Sequence, residues 1–327
     1  MVQRFLLVIK SVTLLLLSHD MEYCIGIKAN GRLGNLMMAY AAMVGICTLN
    51  HKQPSECAVI ANTHSIEAPI QDLHTAFNLS VRQTPCNFVH KFEERYLTLN
   101  GREAPIPFDD RALKQPSGTL YSGYYQSYLY HYPHAENVVK SLFTFSDSVK
   151  MEASSYIDSI RRKVPKGTRI VGIHIRLGDK FNLPHYDQWG LSLEYYKKAV
   201  GIMSNYTNSN MALLFFFGGY FPNRETVETD LIHKMYTTLS NQTRYSFKEE
   251  GGNQFVAMQT LSLCDSIITA SSSFSWWAAY LSNSAKPVIA PRNIYAGTRE
   301  KYIAESYYPL SWTLLSDRVD EDRIPLA

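Results

Sequence analysis

Residues 169–176 read as an apolar strand whose period of two puts Val171, Ile173 and Ile175 on one face and Gly172, His174 and Arg176 on the other. Two polar side chains thus leave one face near the strand's carboxyl end, where open α/β sheets bind ligands; a guanidinium there suits an anion and an imidazole a hydrogen bond beside it. The same spacing equally allows a strand-end ion pair between Arg176 and Asp179. A second candidate is Ser271-Ser272-Ser273-Phe274-Ser275-Trp276-Trp277, which follows a strand and opens a helix. Unpaired backbone N–H groups at a helix start, next to the Ser272 and Ser273 hydroxyls, make an anion site. Alternatively one serine merely caps the helix, and Phe274, Trp276 and Trp277 pack in the core. The third, Gly31-Arg32-Leu33-Gly34-Asn35, lacks the G-x-G-x-x-G spacing and reads as a tight turn whose Asn35 caps the following helix or, alternatively, presents its amide to a substrate oxygen.

These side chains need a scaffold. Tyr23 to Ile27 reads as a short buried strand, the glycine turn follows, and a helix runs from about Leu36 to Leu49. Between His51 and Ser148, apolar runs mix with Pro85, Pro105, Pro107 and Pro116, and the tyrosine-rich stretch 121–128 interrupts any regular pattern. Beyond it helices and strands alternate: helix 150–163, strand 169–176, helix 193–205, strand 212–217, helix 223–239, strand 244–247, helix 253–264, strand 266–270, helix 274–281 and strand 287–290. Continuous apolar strands in that alternation predict a doubly wound parallel sheet covered on both faces. The expected division is a leader over 1–20, an N-terminal lobe over 21–150 and a C-terminal lobe over 151–327.

Composition narrows the function classes. The 327 residues are 46% hydrophobic and 13% aromatic, enough for a folded core. With 19% charged residues, a net charge of +3 and no basic block interleaved with aromatics, nucleic acid is not the expected partner. The cysteines Cys24, Cys47, Cys57, Cys86 and Cys264 show no paired C-x-x-C spacing, so they read either as one or two disulfides with a thiol left over or as small buried hydrophobes. No H-E-x-x-H or G-x-S-x-G motif is present, and Asp320-Glu321-Asp322 reads as a solvated tail, so a metal site is not expected. The run Phe5 to Leu17, interrupted by Lys10 and preceded by Arg4, is short for a membrane span and reads as a signal-peptide core or a signal anchor. Passage into the secretory pathway follows, and the sequons at Asn78, Asn205 and Asn241 are the expected glycosylation sites, although chance alone supplies about two such triplets.

Four segments also carry a family resemblance. His174-Ile175-Arg176-Leu177-Gly178-Asp179 resembles the H-x-R-R-G-D signature of the family 11 α-1,2-fucosyltransferases. Gly31-Arg32-Leu33-Gly34-Asn35-Leu36-Met37 resembles their G-R-L-G-N-Q-M, and Gly123-Tyr124-Tyr125-Gln126-Ser127 their G-Y-F-Q-S. Residues 272–281 are similar to their S-T-F-G-W-W-A-A-Y-L, and the four matches come in family order from Gly31 to about Pro291. The resemblance implies a GT-B-like α/β fold of two facing Rossmann-like lobes. It also implies GDP-fucose as donor, inversion at the fucose anomeric carbon, no metal or other cofactor, and the 2-hydroxyl of a terminal galactose on a glycan as acceptor. In its terms Arg176 stabilises charge on the departing β-phosphate and His174 contacts the nucleotide. Ser272, Ser273 and Phe274 line the pyrophosphate and fucose side, Asn35 and Arg32 come across from the first lobe, and Asp179 is the nearest carboxylate to take the acceptor's proton. The implied location is the Golgi membrane, as a single-pass type II protein with a lumenal catalytic domain, or a secreted or lumenal soluble form.

One position departs from the pattern: Leu177 stands where the family has a second arginine. A lost hydrogen bond to a charged group costs about 1.5–3 kcal/mol, roughly ten- to a hundredfold in rate or affinity, unless Lys180 substitutes. Two other readings therefore stay open: a protein that keeps the fold and binds glycan or GDP without transfer, and a fucosyltransferase with a non-galactose acceptor.

Overall fold

The computed structural model describes residues 23–29, 31–53, 57–60, 70–77, 79, 87–99, 102–105, 108–176, 191–218, 225–248, 253–292 and 305–316. The first half runs β1 (Ile25–Ala29), α1 (Leu33–Leu49), β2 (Ala58–Ile60), α2 (Ile70–Ala76), β3 (His90–Glu93), β4 (Tyr96–Leu99), β5 (Arg102–Pro105), β6 (Thr119–Gly123), α3 (Glu136–Leu142) and α4 (Asp147–Arg161). The second runs β7 (Arg169–Arg176), α5 (Leu193–Tyr206), β8 (Met211–Gly218), α6 (Glu225–Ser240), β9 (Tyr245–Lys248), α7 (Gln254–Ser262), β10 (Ser266–Ile268), α8 (Ser273–Leu281), β11 (Val288–Pro291) and β12 (Thr313–Leu315). Every element expected from periodicity is present with ends displaced by three residues or fewer, the largest shifts being the starts of α1 at Leu33 instead of Leu36 and of α4 at Asp147 instead of Lys150.

Each half builds one large sheet that is parallel throughout, and β4 pairs with β5 in a separate antiparallel ribbon. The first large sheet has the order β2-β1-β6-β3. Its β6 corrects the irregular reading of the tyrosine-rich stretch: Thr119–Gly123 is an inner strand with Thr119, Tyr121 and Gly123 turned inward. Tyrosine suits a pleated, half-buried surface when its hydroxyl finds a partner, and the Tyr121 hydroxyl donates to the Ala112 carbonyl at 2.8 Å. That partner lies nine residues upstream and leaves no local trace in the sequence.

Helix α1 is apolar around its whole circumference, and such a helix must be covered on all sides. It packs on β1 along one flank and on α8 along the other. A Cβ at Gly45 would sit 2.0 Å from the Tyr130 carbonyl oxygen, so glycine is what lets the 128–131 turn close against this helix. One continuous core runs from Ile25 and Ile27 through α1 to Trp276, Trp277 and Leu314, joining the two sheets. Lys150, near which the first lobe was expected to end, lies in the first turn of α4, which packs on α7 beside the second sheet. The cysteines divide between the two readings: Cys47 is bonded to Cys57, Cys24 is also disulfide-bonded, and Cys264 is a buried thiol. Cys86 lies outside the described residues.

The second sheet has the order β12-β11-β10-β7-β8-β9. Read from β9 inward and out again, this is the 3-2-1-4-5-6 order of dinucleotide-binding sheets, and the chain reverses direction between β7 and β10. The expected doubly wound parallel sheet and two-lobed α/β architecture are therefore present. Val171, Ile173 and Ile175 enter the core shared with Tyr195, Tyr196 and Val200 of α5. On the opposite face a Cβ at Gly172 would lie 2.5 Å from Leu261 and 2.8 Å from the Cys264 sulfur, so this glycine sets how near α7 approaches β7. Among the described residues no helix is long and apolar enough to cross a membrane; the Phe5 to Leu17 run lies outside them.

Candidate functional site

Where neighbouring strands of a parallel sheet lead off in opposite directions, their carboxyl ends leave a crevice. At the reversal between β7 and β10 that crevice is a cavity of about 280 Å³. His174 and Arg176 reach it from β7, and Ser272, Ser273 and Phe274 from the start of α8; Arg32 and Asn35 arrive from the turn after β1 in the other sheet. All seven residues expected to bind the donor thus line one space.

His174 is buried, its ring centroid 5.3 Å from that of Phe274. A Cβ on Gly218 would come within 2.6 Å of its Nε2, so the end of β8 passes beneath the imidazole only because residue 218 is glycine. Burial, reinforced by the charge of Arg176, pushes the imidazole down to about 3, so it is neutral near pH 7. Among the described residues its buried Nδ1 has no hydrogen-bond partner. Such groups are rare in folded proteins, and His174 is one of the residues lining the cavity. Arg176 is half-buried, and one of its terminal nitrogens donates to the Ser271 carbonyl at 3.4 Å. Tyr307 packs close enough to feel that guanidinium, whose charge opposes the burial that raises its phenol, and its backbone carbonyl accepts from Trp276 at 2.8 Å.

The capping reading of the serine segment holds, and the same segment also lines the cavity. Ser272 is the N-cap of α8, its Oγ accepting from the Phe274 N–H at 3.3 Å, and Trp276 and Trp277 are fully buried in the core. The first turn of α8 nonetheless faces the cavity, so its dipole and backbone donors point into that space.

The expectation for Asn35 needs correction. The N-cap of α1 is Arg32, in extended conformation and without a side-chain cap bond. Asn35 lies one turn in, and its Oδ1 accepts from Gln126 Nε2 at 2.7 Å and from Ser273 Oγ at 2.8 Å. Two donors from distant segments claim the oxygen that would otherwise have capped the helix. Gly34 is needed for the same junction: a Cβ there would lie 2.7 Å from the Ser273 carbonyl carbon and 2.8 Å from the Phe274 nitrogen. Its own carbonyl accepts from Trp277 Nε1 at 3.0 Å. The glycine read as a turn former is where the two halves touch backbone to backbone.

Asp179, Leu177, Lys180 and Asn78 lie outside the described residues. Asn205 and Asn241 are exposed. Reasoning on chemistry alone missed Gln126, Tyr307 and Gln254, the last of which lines the cavity from the first turn of α7, where Asn253 caps the helix through its Oδ1 at 2.9 Å. Gln126 lay inside a segment already singled out for its resemblance, whereas nothing local marks Gln254 or Tyr307. Among the described residues no three His, Cys, Asp or Glu side chains gather as metal ligands.

The family described as "Glycosyl transferase family 11" matches residues 2–316. The chain belongs to this glycosyltransferase family. The family 11 resemblance carried by the four motifs holds over the chain. This family 11 chain is 25% identical over 145 residues to the O-antigen biosynthesis glycosyltransferase WbnK of Escherichia coli, covering 43% of this chain and 44% of that protein. It is 28% identical over 158 residues to galactoside alpha-(1,2)-fucosyltransferase 2 of Oryctolagus cuniculus, covering 47% of this chain and 39% of that protein. The chain thus spans less than half the length of these relatives. Among solved structures it is similar to the fucosyltransferase NodZ from Bradyrhizobium, at 12% identity and TM-score 0.49 over 81% of this chain and 95% of that one.

Proposed function

We propose that this family 11 protein transfers L-fucose from GDP-fucose to the 2-hydroxyl of a terminal galactose on a glycan, with inversion and without a metal ion. The observation that carries the reading is the meeting of Arg32, Asn35, His174, Arg176, Ser272, Ser273 and Phe274 at one sheet-reversal crevice. The galactoside fucosyltransferase names of the mammalian relatives support the acceptor.

In this reaction the galactose oxygen bonds to the fucose anomeric carbon as the bond from that carbon to the β-phosphate oxygen breaks, and the electron pair leaves with GDP. Charge therefore grows on the diphosphate, where Arg176 and the N-terminal turn of α8 supply positive potential in a partly enclosed site. A neutral His174 offers its unpartnered Nδ1 to the nucleotide. Asn35 and Arg32 close the space from the opposite side. Asp179 takes the proton of the acceptor hydroxyl. The same reading has the protein anchored in the Golgi membrane as a single-pass type II protein, with N-glycans at Asn78, Asn205 and Asn241; disulfides at Cys24 and Cys47 suit that oxidising compartment.

The test is GDP release by purified protein given GDP-fucose and a panel of β-galactosides, with and without EDTA. Turnover that survives the chelator supports the proposal, and GDP binding without any turnover defeats it. Leu177 favours the second reading, a GDP-binding protein without transfer, under which Leu177→Arg should create activity that the native chain lacks.

A further inference from the structure

Glu94 follows directly on β3, is buried, and belongs to none of the motifs described above. Its Oε2 accepts the Tyr124 backbone N–H at 2.6 Å and its Oε1 the Tyr125 backbone N–H at 2.9 Å. One carboxylate therefore spans two consecutive peptide groups of the loop that leaves β6. That loop is bent away from ordinary backbone at both ends of the clamp: Gly123 has φ +148° and Tyr125, which is not glycine, has φ +48°. A residue with a Cβ is disfavoured in that left-handed region, so surrounding contacts must impose the shape. Gly123 cannot carry a side chain for a second reason, since its Cβ would lie 2.4 Å from the Cβ of Glu94.

The next residue gives the clamp a reach beyond itself. Gln126 extends from the clamped loop to Asn35 Oδ1, the atom that also receives Ser273 Oγ from the first turn of α8. Resting on the fucosyl-transfer reading, we propose that Glu94 is a positioning residue, whose carboxyl group sets the 123–127 loop so that Gln126 holds Asn35 against the donor-binding end of α8.

The groups around the carboxylate give the clamp a direction in pH. Facing it are the phenols of Tyr125 and Tyr130; Asp109, beside Tyr130, is paired with Arg95 and Arg111, and no cation of the described residues pairs with Glu94. Burial, opposed by the two N–H donors, pushes the Glu94 carboxyl up to about 7. Any opened loop that returns Glu94 to water restores an ordinary carboxyl, so the closed loop holds the proton more tightly. Acidification from about pH 7 toward 4.5 thus favours the closed loop, and more alkaline pH loosens it.

The experiment combines amide hydrogen exchange over 124–125 with GDP affinity and donor kcat/KM, across pH, for the native protein, Glu94→Gln, Gln126→Leu and the double variant. Glutamine presents an NH₂ to one of the two N–H groups, so Glu94→Gln should lower exchange protection about tenfold, reduce kcat/KM by a similar factor, and flatten the decline on the alkaline side of pH 7. Gln126→Leu should match that kinetic loss and flattening while leaving the Tyr124 and Tyr125 amides protected. The double variant should be no worse than either single one, because both cut one chain of contacts. Losses that add, or a pH response in Gln126→Leu identical to the native one, overturn the role, and the second comparison stands even if Glu94→Gln does not fold. If the native protein binds no GDP, the fucosyl-transfer reading falls, and unchanged protection in Glu94→Gln would separately rule out the clamp.

Discussion

The two walls of the cavity are built by different means. The wall from β7 and α8 consists of regular elements: a strand end, a helix start and a serine cap, each carrying its functional group as a direct result of local geometry. The facing wall is a glycine turn, braced from outside the cavity by a loop with positive φ at Gly123 and Tyr125 and fixed by side chains that bond across as many as 238 residues of sequence. The first wall supplies charge; the second supplies position. The contrast predicts that damage to one wall should appear in the chemistry and damage to the other in stability as well.

Arg176→Ala is the sharpest way to separate them. Removing a donor from developing transition-state charge costs about 2.7–4 kcal/mol, so kcat should fall roughly 10²–10³-fold while the melting temperature stays near that of the native protein. A collapse of stability in this variant would show that Arg176 also holds the fold together. Gly34→Ala addresses the junction between the walls. Forcing a methyl against the Ser273 and Phe274 backbone should lower stability by about 1–3 kcal/mol, despite the roughly 1 kcal/mol that alanine gains in a helix, and should weaken GDP binding in parallel. Unchanged thermal unfolding would mean that the two backbones separate easily. The smallest effect belongs to Ser272→Ala, which removes one cap bond worth about 1 kcal/mol and should weaken GDP binding about fivefold by calorimetry. A loss as large as that of Arg176→Ala would mean that the hydroxyl does more than cap.

The same contrast explains how much could be read in advance. The apolar runs 169–176 and 212–217 and the serine-led helix start predicted the second sheet and its polar edge, because those signals are local. The facing wall was recognised as part of the site only through its resemblance to family segments. Asn35 was misassigned as a cap because its partners, Gln126 and Ser273, are distant in sequence, and Glu94 went unnoticed because a glutamate in the charged run Glu93-Glu94-Arg95 carries no pattern. Strand β6 was missed for a related reason: tyrosines fit a buried strand only when remote carbonyls such as that of Ala112 receive their hydroxyls.

The apolar circumference of α1 has a bearing on how the chain can be divided. One flank of this helix is covered by its own sheet and the other by α8, more than two hundred residues later. A fragment ending near residue 150 would expose the α8-facing flank to water as a continuous greasy strip, so it should precipitate or self-associate unless a fragment carrying the second sheet is supplied with it. The two sheets are distinct in topology, but in solubility they behave as a single unit.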